Sequence, residues 1–81
     1  MTADLTNHTI ESAFILGQQH GAALAEHTTP TLMQLIRDID RCFMSKTSVE
    51  RAYLGGKQIA VAGILGDRDV WVFDTFYEEQ E

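Results

Sequence analysis

Any chemistry in this chain would have to come from three histidines, one cysteine and an aspartate set among apolar residues: His8, His20, His27, Cys42 and Asp74. His20 and His27 are seven apart and would share a face of one helix. At about 1.5 Å of rise per residue they would stand roughly 10 Å apart along its axis, too far for one metal ion to bridge. Neither is followed at three or four positions by a Glu, Asp, His or Cys, as a zinc site on a helix requires. The histidines therefore read as surface or cap-proximal groups, with a charge-sensitive interface as a minor role.

Cys42 adjoins Phe43 on an apolar stripe, and a nucleophilic role would need a base and an anion-stabilising site around it. Core packing is the expectation, because free cysteine is among the most buried residue types. Asp74 has no second carboxylate at a fixed spacing. It should sit in water at a sheet margin, pair with Arg or Lys from a helix, or accept hydrogen bonds across a dimer interface. The glycines of "LGGKQIAVAGILGD" invite a phosphate-loop reading, which fails because such loops follow a strand and open a helix, and the spacing matches neither glycine signature. No catalytic, cofactor-binding or metal residue is assigned, and the chain is not expected to be an enzyme.

The elements that would position these groups must fit one small domain, since the chain has 81 residues, of which 44% are hydrophobic. Ordering it costs on the order of 100 kcal/mol of conformational entropy, nearly all that a core of this size returns. A single cysteine forbids an internal disulfide and suits a reducing compartment, so a cytoplasmic location is expected. No window approaches the roughly 18 apolar residues of a membrane span. Six Lys and Arg against 12 Asp and Glu give a net charge of −6, with the positive residues scattered, which argues against nucleic acid and anionic membranes as partners.

Residues 1–8 are polar and read as a flexible start, with Asn7 or Thr9 as candidate caps. Ile10, Ala13, Phe14, Gly17, Gly21 and Leu24 follow the spacing of one helix face, giving helix one over about 9–27. Gly17 and Gly21 each cost about 1 kcal/mol relative to alanine. Their place on the apolar stripe implies that another backbone approaches closely, most simply that of helix two. Thr28 or Thr29 caps helix two and Pro30 fits its first turn; Leu32, Leu35, Ile36, Ile39, Cys42 and Phe43 line one side over about 30–44. Thr47 and Glu50 form a capping box for a short helix three, about 48–54, ended by Gly55-Gly56, although continuity with helix two stays open.

The stretch "IAVAGILGDRDVWVFDTFY", residues 59–77, then reads as an antiparallel β-hairpin with "GDRD" at its tip. The expected fold is α+β: two long helices and a short third packed on this C-terminal hairpin, one domain over 9–77 with an acidic tail over 78–81. One face of the hairpin, with Ile59, Val61 and Leu65, would form the floor for the helices. The other carries Ala60, Ala62 and Ile64 beside Trp71, Phe73, Thr75 and Tyr77, an apolar patch too large for a monomer to leave in water. A second copy would cover it most completely, ahead of helix one or a different protein, so Trp71, Phe73, Tyr77, Ile64 and Ala62 are the expected interaction residues and dimerisation completes the fold.

The function expected from this pattern is a small acidic protein-interaction module, an adaptor or inhibitor that acts by occupying a surface, as a homodimer and without a cofactor. Three helices followed by a hairpin are also the element order of a winged helix-turn-helix DNA-binding regulator. That alternative is weakened by Arg51 beside Glu50 in the would-be recognition helix and by Asp67 and Asp69 in the wing.

Overall fold

The computed structural model describes Leu5 and residues 7–70, and within them the chain forms three α-helices: α1 (Ile10–Ala22), α2 (Thr29–Cys42) and α3 (Ser48–Asp67). Each begins at a threonine whose hydroxyl accepts an otherwise orphaned amide: Thr9 from Ser12, Thr28 from Thr31, and Thr47 from Glu50. Ser12 and Glu50 return the bond to the cap backbone, so α1 and α3 both start on capping boxes. A 3₁₀ turn, Phe43–Ser45, and an extended Lys46 separate α2 from α3, so the two helices are distinct.

No β-strand occurs among the described residues, and the expected α+β fold with its β-hairpin is incorrect. Residues 59–67, expected as the first strand and part of the tip, are the last half of α3. Gly55-Gly56 does not end the helix because Val61 and Leu65, four apart, carry an apolar stripe past it and are fully buried against Leu32 and Ile36 of α2. The alternating alanines, Ala60 and Ala62, also favour helix over strand. "GDRD" is the exit of α3 rather than a hairpin tip: Val70 N–H reaches Leu65 C=O at 2.9 Å and Asp69 N–H reaches Gly66 C=O at 3.0 Å. These are the two bonds of a Schellman motif, with Asp69 in the left-handed position at φ 62°. Val70, like Leu24 and Met33, packs against the Leu32–Ile36–Val61–Leu65 cluster. The expected second strand, with Trp71, Phe73, Asp74 and Tyr77, lies outside the described residues.

α3 is the central element. Gly17 of α1 meets Tyr53 and Lys57, Gly21 meets Lys57 and Ala60, and Gly56 meets Phe14 and Gln18, so residue numbers rise together and α1 lies parallel to α3. The close backbone approach expected at Gly17 and Gly21 is present, but the partner is α3 rather than helix two. α2 runs the other way along α3: Gln58 donates to Asp40 at 2.8 Å near one end, and Arg68 donates to Thr29 Oγ1 at 3.2 Å near the other. Arg68 also donates to the Ala25 carbonyl at 2.7 Å, fastening the α1–α2 connection to the end of α3.

Candidate functional site

A helix turns about 100° per residue, so α3 presents a third side once α1 and α2 have taken two. Ala52, Gly55, Ile59, Gly63 and Gly66 share that side, and none of them is charged. Ile59 is 55% exposed and Gly63 is exposed; Ala52, Gly55 and Gly66 are half-buried. A Cβ added at Gly55 or Gly63 would meet nothing within 4 Å. These two glycines differ from Gly17, Gly21 and Gly56, at each of which a Cβ would run into the facing helix. Inside a helix each of the two forfeits about 1 kcal/mol with no contact within the described residues to account for it.

The other cluster of polar groups spans the α1–α3 crossing. His20 Nδ1 and the Tyr53 hydroxyl are 2.6 Å apart, with the rings edge to face at 83° and their centroids 5.4 Å apart. Lys57 Nζ stands 5.8 Å from the centre of the Tyr53 ring, within range of a cation–π attraction. Burial pushes the Tyr53 phenol up from its ordinary value, so it remains a protonated hydrogen-bonding group and not a phenolate nucleophile. A neutral phenol donates to Nδ1 when the imidazole proton is on Nε2. The cluster is a staple between two parallel helices. Sequence reasoning missed it, since 33 residues separate the partners; small residues four apart on both α1 and α3 were the available signal.

His8 Nδ1 lies 3.1 Å from Ser12 Oγ beside the cap of α1, and His27 is exposed beyond the end of α1, so His20 and His27 do not share a helix face. Cys42 is half-buried at the end of α2, its Sγ 3.7 Å from the Ile39 carbonyl, and is free. Among the described residues no three His, Cys, Asp or Glu side chains gather closely enough to hold a metal ion, and no helix is long and apolar enough to cross a membrane.

Of the expected interaction residues, Ala62 and Ile64 are both half-buried and pack against the core cluster. Two positions apart, they would share a face of a strand; on α3 they stand about 200° apart around the helix axis. Trp71, Phe73 and Tyr77 lie outside the described residues. The expected wing of the DNA-binding alternative is likewise missing over 59–67, where the chain is helical.

No protein-family model matches the chain, and neither the curated proteins nor the solved structures contain a significant match to it. The class is therefore set by the fold alone: among the described residues, three α-helices organised around a glycine-rich central one.

Proposed function

We propose that this chain is a protein-interaction module that acts by occupying a surface, with the outer side of α3 as its contact face and a second copy as the first partner. The observation that carries the reading is the pair Gly55 and Gly63, which weaken the helix and face open space. At the α1–α3 crossing the same chain uses Gly17, Gly21 and Gly56 to bring helix backbones together. Gly55 and Gly63 offer a second helix the same approach.

The outer side is also nearly self-complementary about Ile59. Two copies of α3 crossing antiparallel at that residue would set Gly55 opposite the second copy's Gly63, and Ala52 opposite the second copy's Gly66. Such an arrangement satisfies the two-fold symmetry of a closed dimer. Ala52, Gly55, Ile59, Gly63 and Gly66 carry no charge, so two chains of net charge −6 would meet through them without a direct like-charge contact.

Solution mass by light scattering across a range of concentrations tests this. The expected result is a dimer that Ile59→Asp converts to a monomer with unchanged helical content, because Ile59 is exposed in the single chain. A wild-type chain that is monomeric throughout, or a dimer indifferent to Ile59→Asp, overturns the reading.

A further inference from the structure

We infer that each copy's Arg51 pairs with the second copy's Asp69, so that two ion pairs hold the dimer antiparallel about Ile59. The inference rests on the contact face proposed above and deepens it by naming the charges that orient the second copy. Placement around α3 is the first argument. At about 100° per residue, Arg51, eight residues before Ile59, and Asp69, ten after it, both stand about 80° to the same side of Ile59. Asp69 can be counted this way because Arg68, at φ −96° and ψ 13°, still turns nearly as a helix does. Asp67, the other acid at that end, stands about 80° to the opposite side.

A two-fold axis through Ile59 and perpendicular to α3 reverses height along the helix and keeps the flank. At about 1.5 Å per residue, Arg51 lies about 12 Å before Ile59 and Asp69 about 15 Å after it. The second copy's Asp69 is therefore carried to the flank of Arg51 and to nearly its height, a difference well within the reach of an arginine side chain. The same operation repeats the pair at the other end. A parallel pairing would bring neither charge an opposite.

Availability is the second argument. Arg68, beside Asp69, donates to Thr29 Oγ1 and to the Ala25 carbonyl, and Glu50, beside Arg51, accepts from the Thr47 N–H. Each partner's neighbour of opposite charge is thus engaged elsewhere. Asp69 is exposed and holds a left-handed backbone that glycine would adopt at lower cost. Both Schellman bonds at this turn are backbone to backbone and call for no carboxylate. An acid kept in a strained position that the turn itself does not require points to a use outside the turn. An exposed ion pair adds little affinity alone, and what this one supplies is orientation.

If overall repulsion alone governed association, removing an acid from a chain of net charge −6 would tighten the dimer. Asp69→Asn, whose new side chain suits the left-handed backbone, should instead raise the dimer dissociation constant several-fold by light scattering, whereas Asp67→Asn should not raise it. Arg51→Glu and Asp69→Lys should each be monomeric at a concentration where the wild type is dimeric. An equimolar mixture of the two should recover the dimer, because one copy of each restores opposite charges at both ends. Circular dichroism establishes that both variants keep their helices; should Asp69→Lys lose them, Asp69→Asn decides alone.

A dimer that responds to Ile59→Asp but is unchanged or tightened by Asp69→Asn overturns the ion pairs and leaves the contact face standing. So do helical Arg51→Glu and Asp69→Lys chains whose mixture forms no more dimer than each forms by itself. A wild-type chain that is monomeric throughout overturns both the pairs and the face.

Discussion

The backbone carbonyl of Tyr53 occupies the space in which Gly17 would carry a Cβ, so the backbones of α1 and α3 touch where the helices cross in parallel. Helices usually pack with axes 8–10 Å apart, and glycine at the crossing is what permits a closer approach. The His20–Tyr53 hydrogen bond lies at the same crossing and fixes its register.

Gly17→Ala should therefore destabilise the chain although alanine is the better helix former. The obstructing atoms are backbone, which cannot swing aside, and overpacking of this kind costs about 1–3 kcal/mol after the gain in propensity of about 1 kcal/mol is exceeded. Urea unfolding followed by circular dichroism measures it. A Gly17→Ala midpoint equal to or above that of the wild type would remove the parallel α1–α3 contact from the fold.

Asp69 holds a left-handed backbone at φ 62°, a conformation that costs a non-glycine residue roughly 1–2 kcal/mol, less for aspartate. Asp69→Gly keeps both Schellman bonds, which are backbone to backbone, and should raise stability by about 0.5–1 kcal/mol. In a domain of this size that is a rise in Tm of a few degrees. Asp69→Val, β-branched at the same φ, should lower it, and thermal unfolding of the two variants decides.

How far the sequence revealed this fold depends on how local each signal was. The cap at Thr47 was legible, and those at Thr9 and Thr28 were narrowed to one of two candidates each, because a cap involves a residue and its neighbours three positions on. The run Ile59–Leu65 was not, because Ile59, Val61 and Leu65 fit the alternation of a strand while Val61 and Leu65 equally fit a helix face. What separates the two is a partner, α2, at a distance in sequence. Gly55-Gly56 pointed to a helix end on local grounds, yet Gly56 is inside α3 for a reason supplied by Phe14 of α1. The candidate contact face was hidden by the same error, since Gly55, Ile59 and Gly63 line up only when residues 55–63 are helical.

At the start of α3, the Thr47 N–H bonded to the Glu50 carboxylate at 3.1 Å, followed by the Thr47 side chain and nearby Lys46, holds the Glu50 carboxyl below its ordinary value of 4.5. A depressed folded value means that the ionised form stabilises the native state at pH above 4.5, and that this contribution is lost as pH falls through the lower, folded value. Glu50→Gln should flatten the stability profile in that acid range and leave it parallel to the wild type near neutrality. Thr47→Ala, which removes the hydroxyl that accepts from the Glu50 amide, should cost about 1 kcal/mol at neutral pH. Urea midpoints of the two variants between pH 3 and pH 7, roughly the interval over which a carboxylate titrates, check both the sign and the window.

Ile59, Val61 and Leu65 separate the helix from the hairpin most sharply, because a strand would place all three on one buried face. In α3 they diverge: Val61 and Leu65 are fully buried, while Ile59 is 55% exposed on the outer side. Leu65→Ala should therefore cost about 2–4 kcal/mol through lost burial and the cavity left beside Leu32 and Ile36, and Val61→Ala somewhat less. Ile59→Ala, measured at a concentration where the chain is monomeric, should cost under about 1 kcal/mol, with part of any loss recovered by alanine's higher helix propensity. Gly63→Ala extends the comparison, since a helix gains about 1 kcal/mol from it where a Cβ meets nothing, whereas alanine is a poor strand former. Equal costs at Ile59 and Leu65 by chemical denaturation would restore the strand and take the outer face of α3 with it.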